Sequence, residues 1–295
     1  MSGFEVLAVE RRDRLGEGPW WDAASSRLWW IDIDGHRIRH AGLDGTEGAP
    51  IDTPTEVGFT APDEAGGLIA GLRDGLWRRS ADGEWHRLWQ ADYDASTHRI
   101  NDGKTDPAGR VWFGTMMDAE TGPSAAFYCF DGTTTRRVFG GVTTSNGLGW
   151  SPDRRVFYYT DTPTRTIWAF DFEPEAGTLD NRRIFVRDPE GRFPDGLTVD
   201  AEGCVWSAKW QGSAVVRYTP DGRIDKEVRL PVRKPTCPTF AGDDLSVLAV
   251  TSANQGPEDG ELAGSVFLVQ TSTTGQPPTP ARAATGPNPA RDGEK

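Results

Sequence analysis

The sequence predicts an all-β fold, a six-bladed β-propeller with four-stranded antiparallel blades. Two observations carry this prediction. A turn followed by a short strand-like run recurs six times, with equivalent positions 40 to 49 residues apart, and no segment of ten or more residues shows a convincing helical period. A repeat of this length fits four short strands with their turns, which is one propeller blade. A long β-sandwich would not explain six evenly spaced groups of strands.

The repeated units, taken in order, share a polar turn followed by an apolar, β-rich run. They begin at Asp22, Ala61, Asp106, Ser151, Asp200 and Ala241. Residues 4–9, ahead of the first unit, form a strand that we expect to pair into the last blade, closing the ring and protecting its edges. Residues 98–104 carry four charged or amide side chains within seven residues, so we expect a loop there.

The domain prediction is a propeller over residues 1–270 and a short remainder over residues 271–295. This remainder is mostly Thr, Gly, Pro, Ala and Arg. Its first residues are expected to pair as an edge strand, and its end is expected to be a disordered tail because it offers almost no core-forming side chains.

Composition limits the classes of partner. The net charge of −12 argues against nucleic acid and against an anionic membrane surface, because both would repel the chain. No window approaches the length of a membrane span, and the first ten residues lack a signal-peptide pattern. Cys129, Cys204 and Cys237 have neither a C-x-x-C nor a zinc-site spacing, so free thiols in a reducing compartment are expected. We therefore expect a cytoplasmic monomer.

The residues just before each turn occupy equivalent positions in the repeat. They are Glu17, Val57, Asp102 (or its neighbour Asn101), Asn146, Asp195 and Cys237. A glycine follows in five of the six units, and a proline follows Cys237. Because the innermost strand of every blade lines the central channel, these positions should form a ring around one axis.

Four of the six ring positions are acidic or amide residues. Carboxylates crowded at one channel mouth repel each other, and a bound divalent cation with oxygen ligands would relieve that repulsion. An isolated Asn-Gly or Asp-Gly dipeptide is usually a hairpin turn. Four such positions in repeat register, among them Glu17-Gly18, favour a site over a set of turns.

At these residues the chain resembles the senescence marker protein (regucalcin) and gluconolactonase family of six-bladed lactonases. The matching motifs are L15-G-E-G-P-W-W-D, R99-I-N-D-G-K-T-D-P-A-G-R-V-W-F-G-T-M, S145-N-G-L-G-W-S-P-D and F193-P-D-G-L-T-V-D-A-E-G. The resemblance implies a metal held by Glu17, Asn146 and Asp195. It also implies that Asp195 is the catalytic acid/base.

The same resemblance assigns the substrate contacts. Arg99 and Asn101 would contact the sugar lactone. The family often has a further acidic residue after G-T-M, and Asp118 or Glu120 would take that role here, with Asp118 chosen as the substrate-binding residue.

The expected function is a metal-dependent hydrolase that opens a sugar lactone to the aldonic acid. The cofactor would be one divalent cation: calcium, zinc, manganese or iron. The alternatives are a promiscuous metal-dependent esterase or phosphotriesterase, and a non-catalytic calcium-binding propeller. The sequence contains no G-x-S-x-G nucleophile motif and no dinucleotide-binding G-x-G-x-x-G, which argues against a serine esterase and a nicotinamide enzyme.

Overall fold

A computed structural model of the chain describes residues 3–282, and it has the predicted six-bladed propeller. Its strands form six separate four-stranded antiparallel sheets. The innermost strand of each sheet contacts the innermost strands of the two neighbouring sheets, so the six blades close into a ring. The fold class predicted from the repeat is therefore confirmed.

Each of the first five blades is built from four consecutive strands, numbered here from the N-terminus. Strand β1 is Glu5–Val6. Blade 1 contains β2 (Gly16–Asp22), β3 (Arg27–Asp32), β4 (Arg37–Ala41) and β5 (Ile51–Asp52); blade 2 contains β6 (Val57–Pro62), β7 (Leu68–Leu72), β8 (Gly75–Arg79) and β9 (Trp85–Gln90); blade 3 contains β10 (His98–Thr105), β11 (Val111–Met117), β12 (Ala125–Phe130) and β13 (Thr135–Val142).

The second half of the chain follows the same plan. Blade 4 contains β14 (Ser145–Trp150), β15 (Val156–Asp161), β16 (Thr166–Glu173) and β17 (Thr178–Arg187); blade 5 contains β18 (Phe193–Val199), β19 (Val205–Trp210), β20 (Ala214–Tyr218) and β21 (Ile224–Arg229); blade 6 contains β22 (Pro235–Ala241), β23 (Val247–Ser252) and β24 (Phe267–Gln270). Two 3-10 helices, Thr162–Thr164 and Pro257–Asp259, are the helical elements among residues 3–282. Within that range no helix is long and apolar enough to cross a bilayer.

The N-terminal strand closes the ring, as predicted. In β1, Glu5 pairs with Leu268 and Val6 pairs with Phe267, which makes β1 the outer strand of blade 6. The strand is shorter than the predicted residues 4–9. Only one further backbone bond extends this pairing, from Leu7 N to Val266 O at 2.9 Å.

The apolar core is divided among the blade interfaces. Six buried clusters are present, and each joins two neighbouring blades. Between blades 3 and 4, for example, Trp112 and Phe127 pack with Phe157, with ring centroids 5.7 to 5.8 Å apart. Each blade is therefore apolar on both faces, and the polar positions are left for the channel and the outer strands.

The recurring turn motif has a direct physical reason. Asp106 accepts backbone N–H bonds from Ala108 and Arg110 at 2.8 and 3.0 Å, and its other oxygen accepts the indole N–H of Trp112 at 2.9 Å. Asp200 makes the same three kinds of bond in blade 5, to Glu202 N, Cys204 N and Trp206 Nε1. The aspartate thus satisfies the turn and anchors the tryptophan of the next strand.

The expected loop over residues 98–104 is wrong. His98–Thr105 is β10, the inner strand of blade 3, and most of its residues are buried. The polar pattern does not exclude a strand here because these side chains face the channel rather than the apolar blade interfaces.

Residues 271–282 cross the end of the propeller where the inner strands finish. Gln276 Nε2 donates to the carbonyl oxygens of Trp150 and Val199, the last residues of β14 and β18, at 3.1 and 3.2 Å. Isolated bridges join Gly275 to Asp200 in blade 5 and Ala281 to residue 63, just after β6 in blade 2. The segment therefore closes that end of the channel.

This path differs from the expected edge-strand remnant, because β24 ends at Gln270 and the segment leaves blade 6. The segment is held mainly through backbone hydrogen bonds, which its composition did not reveal. Ala281 is nevertheless buried, with 1% of its surface exposed. The disorder expected toward the C-terminus falls on residues 283–295, which lie outside the described residues.

The closing segment can be tested with two truncations. Ending the chain after Pro280 removes three backbone bonds that ending it after Arg282 keeps: Ala281 N to Pro62 O, Glu64 N to Ala281 O and Arg282 N to Gly109 O, at 2.7, 2.9 and 2.8 Å. We expect the shorter chain to lose about 1–3 kcal/mol of unfolding free energy relative to the longer one. Thermal melts of the two proteins measure this, and coincident melts would show that Ala281 and Arg282 do not hold the segment.

Candidate active site

Every inner strand carries a β-bulge near the ring position. The breaks in register fall between Glu17 and Trp20, Val57 and Phe59, Ile100 and Gly103, Asn146 and Leu148, Pro194 and Leu197, and Pro235 and Pro238. A bulge bends its strand and redirects a side chain. The same distortion in all six blades gives the ring positions equivalent surroundings.

The glycines of the ring motif allow neighbouring inner strands to approach closely. A Cβ atom on Gly147 would lie 2.4 Å from the carbonyl oxygen of Asp195, and one on Gly58 would lie 2.4 Å from that of Asn101. On Gly196 it would lie 2.4 Å from Cys237 Sγ. Any larger residue would push the strands apart, so these glycines set the width of the ring.

A cavity of about 630 Å³ opens at the end of the axis where the inner strands begin. All of the site residues predicted from the sequence line it, including both candidates for the acidic residue after G-T-M. They are Glu17, Arg99, Asn101, Asp118, Glu120, Asn146 and Asp195. The repeat register therefore brings together residues from blades 1, 3, 4 and 5.

The structure places Asn101 and Asp102, the two candidates for the ring position of blade 3, in different cavities. Asn101 lines the open cavity, whereas Asp102 lines a second cavity of about 130 Å³ further along the axis, together with Lys104 and Cys237. Lys104 Nζ donates to the carbonyl oxygen of Leu197 at 3.0 Å and ties blade 3 to blade 5 across the channel.

Hydrogen bonds fix the polar side chains of the cavity floor. Arg99 Nη1 donates to Asn101 Oδ1 at 2.7 Å, and Asn101 Nδ2 donates to the carbonyl oxygen of Ser145 at 2.7 Å. Asn146 Nδ2 donates to Thr162 Oγ1 at 3.2 Å, and Thr162 Oγ1 donates to the carbonyl oxygen of Pro194 at 2.8 Å. Each amide is thereby linked to the backbone of the next blade.

The carboxylates on the floor are crowded and nearly dry. Glu17 is 8% exposed and Asp195 4% exposed. Burial raises the pKa of both groups well above the usual range. The Asp195 and Asp102 charges raise the pKa of Glu17 further, and the Asp102 charge does the same for Asp195. Burial also raises the pKa of Asp102 to about 6. A positive charge among these groups would offset both the desolvation and the repulsion.

The donor set suits a hard divalent cation. Glu17 and Asp195 supply carboxylate oxygens, and Asn146 supplies an amide oxygen, and all three side chains line the same cavity. Among residues 3–282, no group of three or more His, Cys, Asp or Glu side chains is arranged as a metal site. A cation here would therefore depend on the Asn146 amide as well as on the two carboxylates.

Two functional candidates were missed by the sequence analysis. Arg73 and Glu56 line the open cavity, and Arg73 binds both Glu56 and Asp118. The ring position of blade 2 is the apolar Val57, which drew attention away from this blade. Glu56 directly precedes Val57, so an acidic neighbour of a ring position was the available signal.

The geometry defines a propeller whose axis ends in an acidic cavity with a mixed carboxylate and amide floor. A family model described as the SMP-30/Gluconolactonase/LRE-like region matches residues 15–254. The chain belongs to this family, which confirms the resemblance seen in its motifs.

Curated relatives cover nearly the whole chain. It is 38% identical over 280 residues to pentonolactonase XacC of Haloferax volcanii, a match spanning 91% of this chain and 95% of that protein. It is 36% identical over 278 residues to 6-deoxy-6-sulfogluconolactonase of Pseudomonas putida, spanning 90% of this chain and 94% of that protein. The names of both relatives describe enzymes that act on lactones of sugar acids.

Solved structures share the fold. A calcium-binding protein, regucalcin, from Agrobacterium tumefaciens superposes with a TM-score of 0.89 at 27% sequence identity. The match covers 95% of this chain and 97% of that chain.

The Arg73 pairing predicts a pH-dependent stability. The hydrogen bonds from Arg73 lower the pKa of Glu56 to about 2, from an ordinary 4.5. The stabilisation is therefore complete above the unfolded-state pKa and is lost as the pH falls from 4.5 toward 2. The gap in melting temperature between the parent and Arg73→Met should be widest near pH 7 and should narrow between pH 5 and 3.

The control is the same substitution in a background that carries both Glu56→Gln and Asp118→Asn. Without the two carboxyl groups that pair with Arg73, the effect of Arg73→Met should lose most of its pH dependence. A gap that stays constant from pH 7 to 3 in the parent background would contradict the assigned pairing.

Proposed function

We propose that the protein is a divalent-metal-dependent lactonase that hydrolyses a sugar lactone to the corresponding aldonic acid. The observation that carries this proposal is the convergence of Glu17, Asn146 and Asp195 with Arg99 and Asn101 in one cavity. The named activities of the two curated relatives support the same reaction class.

Glu17, Asn146 and Asp195 would hold the cation, which is calcium, zinc, manganese or iron. A bound cation of this kind would polarise the ester carbonyl and lower the pKa of a coordinated water. The calcium-binding description of the regucalcin structure from Agrobacterium supports metal binding by a protein of this fold.

The remaining chemistry falls to side chains of the chain itself. Asp195 takes the proton of the attacking water as a general base and returns it to the ring oxygen as the ester C–O bond breaks. Arg99 and Asn101 orient the hydroxyl-rich ring, and the guanidinium group stabilises the carboxylate that forms when the ring opens. The hydrogen bond between Arg99 and Asn101 keeps both groups on the same side of the substrate.

The charge of the cavity favours release of an anionic product. Among its lining residues are six carboxylates and two guanidinium groups. A neutral lactone can enter without electrostatic opposition, whereas the anionic product is repelled by the excess of carboxylates. Hydrolysis therefore creates the charge that promotes product release.

We also propose that the protein is a cytoplasmic monomer. Cys129, Cys204 and Cys237 are free and buried. Unpaired thiols fit a reducing compartment, which supports the cytoplasmic location.

The direct test is a panel of hexonic and pentonic lactones, assayed with chelator-stripped and metal-restored protein. We expect hydrolysis that requires added metal, and an Asp195→Asn variant about 100-fold slower or worse because its general base is lost. Circular dichroism checks that the variant keeps the fold. Near-normal turnover by Asp195→Asn would overturn the base assignment.

The same panel separates the alternatives. Faster hydrolysis of aryl esters or phosphotriesters than of any lactone would favour a promiscuous esterase. Tight calcium binding with no hydrolysis of any substrate would favour a binding protein.

Metal binding provides an independent prediction. Glu17→Gln keeps the size of the side chain and one oxygen but removes a negative charge, so its affinity for a hard divalent ion should drop clearly. Val57→Ala changes the equivalent position of blade 2, which is buried and apolar, and should leave affinity nearly unchanged.

Titration calorimetry of metal into the stripped proteins measures both effects. If Glu17→Gln binds as tightly as the parent, or if Val57→Ala is the variant that loses affinity, the ring register is wrong.

A further inference from the structure

Arg73 is held by an unusually complete set of bonds at the cavity wall. Its Nε and Nη2 atoms donate to the two carboxylate oxygens of Glu56 at 2.7 and 2.8 Å. Its Nη1 and Nη2 atoms donate to the two oxygens of Asp118 at 2.9 and 3.1 Å. Nη1 also reaches the carbonyl oxygens of Ala95 and His98 at 3.2 and 3.3 Å.

The donors of Arg73 are therefore fully used by the protein. A guanidinium group has five N–H donors, and every nitrogen of Arg73 is engaged. What this cluster can still offer a ligand is acceptor capacity, because each oxygen of Glu56 and Asp118 takes only one bond from Arg73 and retains further lone pairs.

The cluster lies nearer to solvent than the cavity floor. The side chains of Arg73, Glu56 and Asp118 are 19%, 25% and 41% exposed. The floor residues Glu17 and Asp195, counted over the whole residue, are 8% and 4% exposed. Glu56 and Arg73 belong to blade 2, which lies across a six-bladed ring from blade 5 and Asp195.

The resemblance already implies a substrate contact for Asp118. We propose that Glu56, joined to Asp118 through Arg73, extends that contact into a subsite that accepts hydrogen bonds from hydroxyl groups on the side arm of the lactone. This inference rests on the proposed function. A lactone whose carbonyl reaches Glu17, Asn146 and Asp195 on the floor extends its opposite end toward the mouth. The two carboxylates stand there as acceptors for a hydroxylated arm.

The subsite also selects against substrates whose side arm carries a negative charge. Both of its ligand-facing groups are carboxylates, and the Arg73 charge is already paired with them. A sulfonate, phosphate or carboxylate on the arm would meet like charges with no free donor to bind it. The enzyme should therefore prefer a neutral hydroxymethyl arm to a sulfonated one.

Arg73 is a positioning residue in this scheme. Its planar fork holds two carboxylates at once, which the single ammonium group of lysine cannot do. Its bonds to the carbonyl oxygens of Ala95 and His98 also fix the chain at the start of β10, where His98 directly precedes Arg99.

The test compares lactones that differ only at the arm: a hexono-1,5-lactone, the pentono-1,5-lactone that lacks the hydroxymethyl group, and the hexono analogue with a sulfonate in place of that hydroxyl. We expect the metal-restored parent to prefer the hydroxymethyl substrate over the pentono-lactone by about tenfold or more in kcat/KM, the size expected for a hydrogen bond to a charged group. Arg73→Lys should remove most of that preference, mainly through KM.

Glu56→Gln provides a second variant that keeps Arg73 in place. It should also reduce the preference for the hydroxymethyl arm, and it should improve kcat/KM for the sulfonated substrate because one repelling charge is gone. A merely structural ion pair would not produce that gain. Arg183→Met, which breaks the exposed ion pair with Asp171 in blade 4, serves as the matched control. It should change neither the preference in kcat/KM for the hydroxymethyl arm over the pentono-lactone nor that for the hydroxymethyl arm over the sulfonated one.

The outcomes separate the subsite from the reaction. If the metal-restored parent hydrolyses none of the lactones, the proposed function fails and the subsite falls with it. If the parent hydrolyses them but shows no preference among the arms, or if Arg73→Lys and Glu56→Gln lower kcat/KM equally for all three, the reaction stands and the subsite is overturned.

Discussion

The close approach of six inner strands around one axis is the constraint on which the site depends. Glycine at Gly58, Gly147 and Gly196 leaves room for the backbone or side chain of the next blade, because a Cβ atom at each would lie only 2.4 Å from it. The bulge beside each ring position turns the preceding side chain toward the axis. Residues as distant in sequence as Glu17 and Asp195 thereby line one cavity.

This close approach brings buried carboxylates together at the cavity floor, and the proposed cation would relieve their repulsion. Burying Glu17 and Asp195 together raises the pKa of both carboxyl groups, and Asp102 adds to the repulsion from below. The arginines of the cavity offset this only in part: the Arg99 charge lowers the pKa of Glu17, but by less than burial and the neighbouring carboxylates raise it. Arg73 is paired with carboxylates near the mouth, and Arg99 is bonded to Asn101. The floor is thus left suited to a cation, and the mouth is left suited to neutral hydroxyl groups.

Much of the fold and of the candidate site could be predicted from the sequence. In a propeller, residues at equivalent positions of the repeat lie at equivalent positions around the central axis. The 40- to 49-residue period gave the six blades, and the residues before each turn gave the floor of the cavity. The polar residues of β10 were mistaken for a loop because polarity alone does not tell a channel-facing strand from a surface turn. The role of Arg73 rests on its pairing with Asp118, which crosses from blade 2 to blade 3. Residues 271–282 pack mainly through backbone hydrogen bonds. Neither leaves a pattern in composition.

The central claim is that the ring register assembles one cation site from Glu17, Asn146 and Asp195. Crystals of the protein soaked in manganese would test it most directly, by anomalous X-ray scattering. The account predicts a single strong anomalous peak on the cavity floor, within coordination distance of an oxygen of each of the three side chains. A peak elsewhere, or a cavity floor without one at saturating manganese, would contradict it.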